Sequence, residues 1–274
     1  MHIFVSGAGG RIGTRMVDFI LKKGHSVRAF DMEDLSSRFQ SQNFESVIGS
    51  VLDFEAVKAA VEGCDAVAHL AGLPSPVRFG QGDIFNTNVD GTFNVVYAAG
   101  ELGVDRICIA SSINAIGAAY SRQPRFDYFP IDELHPSYVE EPYGLSKYLG
   151  EHIASAAARR FDRISLSSLR VHFAVDDKEQ AVRDSPAQGD AVIKHLWGYV
   201  KYEAVASATL KAFERAIPGH EVYNIVAPDT ISSTATLDLL QKWYPKVPLR
   251  TDIRGFDGLF DTTKAQNLLG WSHK

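Results

Sequence analysis

The chain has 274 residues, of which 45% are hydrophobic and 22% are charged, and its formal net charge is −5 at pH 7. This composition is typical of a folded globular protein and lacks the concentrated positive charge that a nucleic-acid partner requires. Cys64 and Cys108 are expected to be reduced core residues, and no histidine or cysteine spacing predicts a metal site. The apolar runs are too short to span a bilayer, so we expect no membrane partner and a cytoplasmic location.

The first elements are a strand, a glycine-rich turn, a helix and a second strand. Residues 2–6 are apolar and β-branched, residues 14–23 are amphipathic, and residues 26–30 form a strand that ends in Asp31. A strand, a turn at the mouth of a helix and a further strand form a βαβ unit.

The alternation of strands and helices continues to residue 171. Further strands are predicted at 44–48, 65–70, 106–110 and 164–171, and helices at 53–62, 84–102 and 142–160. This pattern predicts a parallel sheet covered by helices on both faces. After residue 171 the pattern is less regular. We expect a polar loop at 176–190, helices at 203–216 and 234–243, a strand at 221–226 and a capped final helix in the tail at 260–271.

Three glycines, Gly7, Gly10 and Gly13, stand between the first strand and the first helix. Glycine lets the backbone turn tightly and approach a pyrophosphate, whose charge the helix N-terminus stabilises. The spacing differs from Gly-x-Gly-x-x-Gly, and a glycine-rich turn without a ligand is the alternative. The position between strand and helix favours a dinucleotide site.

Asp31 lies at the end of the second strand, where a carboxylate can bind the ribose 2′-hydroxyl and repel a 2′-phosphate. We therefore expect NAD rather than NADP as the cofactor. Arg11 and Arg38 would weaken this preference if either side chain turned inward.

The predicted fold class is α/β, a Rossmann-type doubly wound parallel sheet with a small C-terminal substrate-binding lobe. Residues 1–171 are expected to form the NAD-binding domain, with 197–227 returning to it. Residues 172–196 and 228–274 are expected to form the lobe.

Polar and glycine-containing motifs recur near the ends of successive predicted strands. The residues concerned are His69, Leu70, Ala71, Gly72, Asn88, Ser111, Ser112, Tyr143 and Lys147. In an open α/β sheet, ligands bind at the carboxyl ends of the strands, so these residues are expected to border one crevice. Tyr143 and Lys147 are four residues apart, which places them on the same face of a helix.

In their order and spacing these motifs resemble the NAD-dependent epimerase/dehydratase family, the extended branch of the short-chain dehydrogenase/reductase superfamily. The resemblance implies that Tyr143 is the catalytic acid/base while a hydride moves between substrate and nicotinamide. It implies that Lys147 lowers the pKa of the Tyr143 phenol and holds the nicotinamide ribose. Ser112 would bind the reacting oxygen; it is preferred to Ser111 because the family's serine or threonine precedes a glycine by five residues, here Gly117. The alternative for the serine pair is a strand-end cap.

The resemblance and the motifs together imply two further sets of contacts. The expected cofactor-binding residues are Gly7, Gly10, Arg11, Ile12, Gly13, Asp31, Leu70, Ala71, Gly72, Asn88, Tyr143 and Lys147. The expected substrate-binding residues are Ser75, Ser112, Asn114, His172 and Arg183. No metal is expected. The helices at 84–102 and 142–160 pair across a two-fold axis in this family, which implies a homodimer.

Departures from the family motifs favour one reaction. Ile113 and Asn114 replace the Asp-Glu pair of dehydratases, and the segment after Arg170 lacks the Asn and Gly-Pro of sugar-nucleotide epimerases. The reduced lobe is similar to that of uronate dehydrogenases. We therefore expect an NAD-dependent dehydrogenase of a sugar or sugar acid. The alternatives are a sugar or sugar-nucleotide epimerase and a non-catalytic Rossmann redox sensor.

Overall fold

A seven-stranded parallel sheet forms the centre of the computed structural model, which describes residues 1–185 and 190–274. Its strands are β1 (His2–Ser6), β2 (Ser26–Asp31), β3 (Phe44–Ile48), β4 (Ala66–His69), β5 (Arg106–Ser112), β6 (Ser165–Val171) and β9 (Gly219–Ile225). The spatial order is β3-β2-β1-β4-β5-β6-β9, and neighbouring strands are parallel. Strands β2 and β3 are added on one side of β1, whereas β4 and the later strands are added on the other side. In such a sheet a crevice opens at the carboxyl ends of the two strands where the order switches, here β1 and β4.

Helices cover both faces of the sheet. They are α1 (Arg11–Lys22), α2 (Phe54–Val61), α3 (Gln81–Phe85), α4 (Gly91–Glu101), α5 (Pro142–Arg160), α6 (Lys178–Asp184), α7 (Asp190–Lys194), α8 (Tyr202–Arg215), α9 (Thr236–Trp243) and α10 (Thr263–Leu269). The apolar sides of α1 and α8 share one buried cluster with the sheet, and those of α2, α4 and α5 share the other. This arrangement confirms the predicted α/β class. Within residues 1–185 and 190–274, no helix is long and apolar enough to cross a membrane.

Two helical segments differ from the sequence prediction. The helix expected at 84–102 begins at Gln81, and a π-helical segment (Asn86–Asp90) separates α3 from α4. The prediction of a polar loop at 176–190 was wrong at residues 178–184, which form α6. The Asp177 carboxylate caps this helix by accepting a hydrogen bond from the Gln180 amide at 2.7 Å, and Ala181 on its inner side is fully buried. Part of the same prediction, residues 186–189, lies outside the described residues.

A third hydrophobic cluster lies beyond the carboxyl ends of the strands. It includes Ile113, Ile116, Phe126, Phe129, Ile131, Val192, Leu196, Trp197, Leu239, Leu259 and Phe260. The segment 113–131 therefore packs with the C-terminal residues, although it falls within the range 1–171 that was predicted for the NAD-binding domain. The short strands β7 (Ala174–Val175) and β8 (Val200–Lys201) pair beside this cluster. The division into a domain and a lobe stays a prediction.

One aromatic side chain near the end of the chain, Trp271, packs in the hydrophobic cluster shared by α1, α8 and the sheet. Trp271 is 1% exposed, and its indole Nε1 donates a hydrogen bond to the Ala204 carbonyl oxygen at 2.9 Å. Gly270 ends α10 with a φ of +66°, which turns the chain toward α8. Trp271 therefore anchors the C-terminal segment on α8.

We expect Trp271→Ala to lower the free energy of unfolding by about 3–5 kcal/mol, because it leaves a large cavity between α8 and α10. Urea denaturation measures this loss. Trp243→Ala is the control, since Trp243 is 44% exposed on α9, and we expect it to change stability by no more than about 1 kcal/mol. Equal losses for the two variants would contradict this role of Trp271.

Candidate active site

The glycine turn between β1 and α1 brings three backbone segments close together. Gly7 has a φ of +69°, and a Cβ atom on it would lie 2.6 Å from the Cα of Ala71. A Cβ atom on Gly13 would lie 2.1 Å from the Gly7 carbonyl oxygen, so neither position accepts a side chain. Gly10 caps α1 without a side chain, which leaves the first amides of the helix open to an anion. This turn fits the pyrophosphate of a dinucleotide.

Asp31 lines a cleft of about 600 Å³ together with the glycine turn. Its carboxylate accepts hydrogen bonds from the Gly9 amide at 2.8 Å and the Met32 amide at 2.7 Å. Arg38 also lines the cleft, where it donates to the Gly9 carbonyl oxygen at 3.3 Å and contacts the Glu33 carboxylate at 3.2 Å. A carboxylate and a guanidinium therefore border the same part of the cleft.

A cavity of about 180 Å³ lies at the carboxyl ends of β5 and β6 and continues from the glycine turn. Of the predicted site residues, its wall contains Arg11, Ile12, Leu70, Gly72, Ser112, Asn114, Tyr143, Lys147 and His172. Tyr120, Phe173, His195 and Tyr202 also line the cavity. The hydroxyl groups of Ser112 and Tyr143 and the ammonium group of Lys147 therefore share one enclosed space.

Ser112 and its neighbour Ser111 have different partners. The Ser112 hydroxyl oxygen accepts hydrogen bonds from the Asn114 amide at 3.1 Å and from the Asn114 side chain at 3.3 Å. Its own hydrogen is left for another acceptor, and Ser112 and Tyr143 line the same cavity. Ser111 instead donates to the Glu151 carboxylate at 2.6 Å. The geometry thus favours Ser112 as the serine of the site, although it is also the strand-end cap.

Burial determines the protonation of Tyr143 and Lys147. It raises the pKa of Tyr143 to about 12, and the opposite effect of the Ser112 hydroxyl is smaller. The same burial lowers the pKa of Lys147 to about 8. The Lys147 ammonium donates to the Ala110 carbonyl oxygen at 2.8 Å and lies 5.8 Å from the centre of the Tyr143 ring. The net direction for Tyr143 is opposite to the lowering that was expected from the sequence, because the enclosed phenolate is poorly solvated.

A buried ion pair connects the helix of Tyr143 to the strands beneath it. Glu151 on α5 and Arg170 on β6 are 7% and 8% exposed, and two hydrogen bonds of 2.8 and 2.9 Å join them. Glu151 also accepts the hydrogen bond from Ser111, and Arg170 donates to the Glu133 carbonyl oxygen at 3.3 Å. These bonds hold α5 against the carboxyl ends of β5 and β6.

Two predicted contacts near β4 serve the loop that follows it. The Asn88 side chain accepts from the Leu73 amide at 2.7 Å and donates to the Leu73 carbonyl oxygen at 3.1 Å and to the Ser146 hydroxyl at 3.0 Å. Asn88 therefore positions this loop. His69 is buried between hydroxyl groups of Ser6 and Thr92, and burial lowers its pKa to about 3, as expected of a neutral structural histidine.

Three predicted substrate contacts are not placed to bind a substrate directly. Ser75 accepts a hydrogen bond from the Val77 amide and does not line the cavity, and Arg183 is exposed on α6. His172 does line the cavity, but the backbone engages both of its ring nitrogens. The interpretation of Arg183 as a carboxylate-binding residue thus finds no support in its position.

Sequence reasoning missed His195 and Tyr202, which line the cavity. Neither belongs to a motif, and His195 fell in a segment without regular pattern. Their closeness to residues 197–227, which were expected to return to the NAD-binding domain, or their position within that range, was the available signal. Among the described residues, no group of three histidines, cysteines or carboxylates could hold a metal ion.

The profile of the NAD dependent epimerase/dehydratase family matches residues 3–174. The chain belongs to this family. Curated relatives include an NAD-dependent glucose-6-phosphate dehydrogenase of Haloferax volcanii, 32% identical over 62% of this chain and 67% of its own length. A uronate dehydrogenase of Pseudomonas putida is 30% identical over 62% of this chain and 59% of its own length. The chain thus spans about three fifths to two thirds of these relatives.

Solved structures of similar proteins superpose on the whole chain. A mutated uronate dehydrogenase superposes with a TM-score of 0.72 at 25% identity, covering 100% of this chain and 81% of that one. The protein MoeE5 in complex with UDP-glucose and NAD superposes with a TM-score of 0.74 at 22% identity, covering 100% and 94%, which shows a shared fold. Family and fold confirm the predicted resemblance and are consistent with NAD as the expected cofactor.

We expect Glu151→Gln to lower the free energy of unfolding by about 3–5 kcal/mol, because it leaves the buried Arg170 charge without its partner. Urea denaturation at neutral pH measures the loss. Glu101→Gln is the matched control, since Glu101 pairs with Lys58 at 2.8 Å on the surface, where an ion pair contributes at most about 1 kcal/mol. A loss for Glu151→Gln as small as that of the control would show that the buried pair is not required.

Proposed function

We propose that this protein is an NAD-dependent dehydrogenase that oxidises a hydroxyl group of a sugar or sugar acid, with Tyr143 as the acid/base. The observation that carries the proposal is the shared cavity of Ser112, Tyr143 and Lys147, which continues into the cleft at the glycine turn. Dehydrogenases of glucose 6-phosphate, uronate and L-arabinose are among the relatives. The proposed activity is the class of reaction that these relatives catalyse, and the groups present in this cavity could perform it.

The proposed cofactor site consists of the glycine turn, Asp31 and Lys147. The turn and the amides of α1 would hold the pyrophosphate, Asp31 an adenosine ribose hydroxyl, and Lys147 the nicotinamide ribose. Bound NAD supplies the hydride acceptor. Asp31 favours NAD, while Arg38 beside it lowers the electrostatic cost of a 2′-phosphate.

The proposed chemistry of the chain itself is a proton transfer at the Tyr143 hydroxyl. The substrate hydroxyl gives up its proton to the Tyr143 phenolate as the C–H hydride leaves, and a C=O bond forms. Ser112 donates a hydrogen bond to the reacting oxygen and fixes its position. Lys147 stabilises the phenolate when it carries its charge.

The runner-up is a sugar or sugar-nucleotide epimerase, since a putative UDP-glucose 4-epimerase of Methanocaldococcus jannaschii is also a relative, 29% identical over 54% of this chain. The cavity of about 180 Å³ is small for a nucleotide diphosphate sugar, which favours the dehydrogenase. Absorbance of reduced NAD, followed with a panel of free sugars, uronic acids and sugar nucleotides, tests the proposal. Isomer formation without net cofactor reduction would favour the epimerase.

A homodimer and a cytoplasmic location remain part of the proposal. Phe85 on α3 and Phe93 on α4 are 38% and 43% exposed, and Phe93 stacks on Tyr97 with ring centres 4.2 Å apart. Exposed aromatic rings on the helices expected to pair support a dimer surface there.

We expect Tyr143→Phe to lower kcat by at least about 100-fold, because it removes the proton acceptor while keeping the ring. Tyr148→Phe on the same helix is the control, since Tyr148 does not line the cavity, and it should keep full activity. Unchanged turnover in Tyr143→Phe would contradict the acid/base assignment.

We expect the rate of oxidation to rise with pH from about 7 upward. The pKa values of about 8 for Lys147 and about 12 for Tyr143 mean that both groups hold their protons at neutral pH. Oxidation needs a base, so the pair has to lose a proton first, whereas reduction of the carbonyl product uses the proton that is present. Initial rates in both directions across this range give the two profiles. Oxidation that falls as pH rises above neutrality, with the fold intact, would contradict this assignment.

A further inference from the structure

A histidine whose ring nitrogen has no hydrogen-bond partner lies in the wall of the cavity. His195 follows α7 and borders the same space as Ser112 and Tyr143. Its Nδ1 atom is buried, and no partner for it exists within the described parts of the chain. Buried polar atoms without partners are rare in native proteins, so this one requires an explanation.

The neighbouring His172 holds the backbone of His195. The Phe173 amide donates to Nδ1 of His172 at 2.6 Å, so the hydrogen of this neutral ring is on Nε2. Nε2 then donates to the His195 carbonyl oxygen at 2.8 Å. The two ring centres are 5.6 Å apart. His172 therefore fixes the main chain at His195 and leaves the His195 ring for a ligand.

The environment of His195 indicates the charge of that ligand. Burial lowers the pKa of His195 to about 4, so its ring is neutral at physiological pH. A neutral imidazole has one donor and one acceptor, as does a hydroxyl group. Among the described residues of the cavity wall, the only side chains with a full positive charge are Arg11 and Lys147, and both are proposed to contact the cofactor. A neutral hydroxyl group suits this side of the cavity better than a carboxylate does.

We propose that His195 is a specificity-determining residue that hydrogen-bonds a hydroxyl group of the substrate, and that the substrate is a neutral sugar. This inference rests on the proposed dehydrogenase function and narrows its substrate class, since it excludes sugar acids as the preferred substrates. The volume of the cavity, about 180 Å³, suits a single sugar ring.

Steady-state kinetics of His195→Ala, His195→Asn and the wild type test the proposal, with saturating NAD and with L-arabinose, D-glucose or D-glucuronate as the varied substrate. The wild type should have a higher kcat/KM for one of the neutral sugars than for D-glucuronate. His195→Ala should raise the KM for that sugar by about tenfold, while the KM for NAD changes less than about twofold. His195→Asn keeps a donor and an acceptor and should recover part of the loss.

His25→Asn is the control, because His25 precedes the amino end of β2 and does not line the cavity, and it should leave both KM values unchanged. Thermal unfolding of each variant establishes that it is folded. An active wild type whose KM for the sugar is unaffected in both His195 variants would overturn the role of His195 and leave the dehydrogenase standing. A wild type that prefers D-glucuronate would overturn the neutral substrate. If no sugar of a wider panel reduced NAD, the proposed function itself would be overturned, and this inference with it.

Discussion

The buried ion pair between Arg170 and Glu151 is the interaction on which the geometry of the candidate site depends. Both side chains are more than nine-tenths buried, so each charge is stabilised by the other and by the hydrogen bonds around them. Glu151 lies one helical turn after Lys147 on α5, and its carboxylate also binds Ser111 at the end of β5. One carboxylate thus determines how the helix that carries Tyr143 lies against the strand that ends in Ser112.

The packing that positions these side chains also determines their protonation. Polar side chains at the carboxyl ends of the strands are shielded from water, which raises the pKa of Tyr143 and lowers the pKa values of Lys147 and His195. The cavity therefore holds a protonated phenol and a neutral imidazole. The first suits an acid/base that exchanges one proton with a substrate oxygen, and the second suits recognition of an uncharged hydroxyl group.

Much of the fold could be predicted from the sequence, because the signals were local. The glycines at 7, 10 and 13 identified the first βαβ unit, and the alternation of strands and helices predicted the parallel sheet. Ser112, Tyr143 and Lys147 could be placed together because strand ends and the helices that follow them meet at one edge of such a sheet.

Features that depend on tertiary packing could not be read from the sequence. The polar composition around α6 concealed a helix whose stability comes from the Asp177 cap and the buried Ala181. His195 reaches the cavity only through the packing of the C-terminal residues with 113–131. The direction of the Tyr143 pKa shift depends on burial, which the spacing between Tyr143 and Lys147 does not contain.

The most direct measurement of the central claim is the fate of the hydride. The protein is incubated with NAD and with D-glucose or L-arabinose that carries deuterium at every carbon-bound hydrogen position, and the cofactor is analysed by mass spectrometry. A sugar dehydrogenase with the cavity described here predicts reduced NAD that contains one deuterium atom, together with an oxidised sugar. Deuterium that remains in the sugar while an isomer accumulates would contradict net oxidation and favour an epimerase.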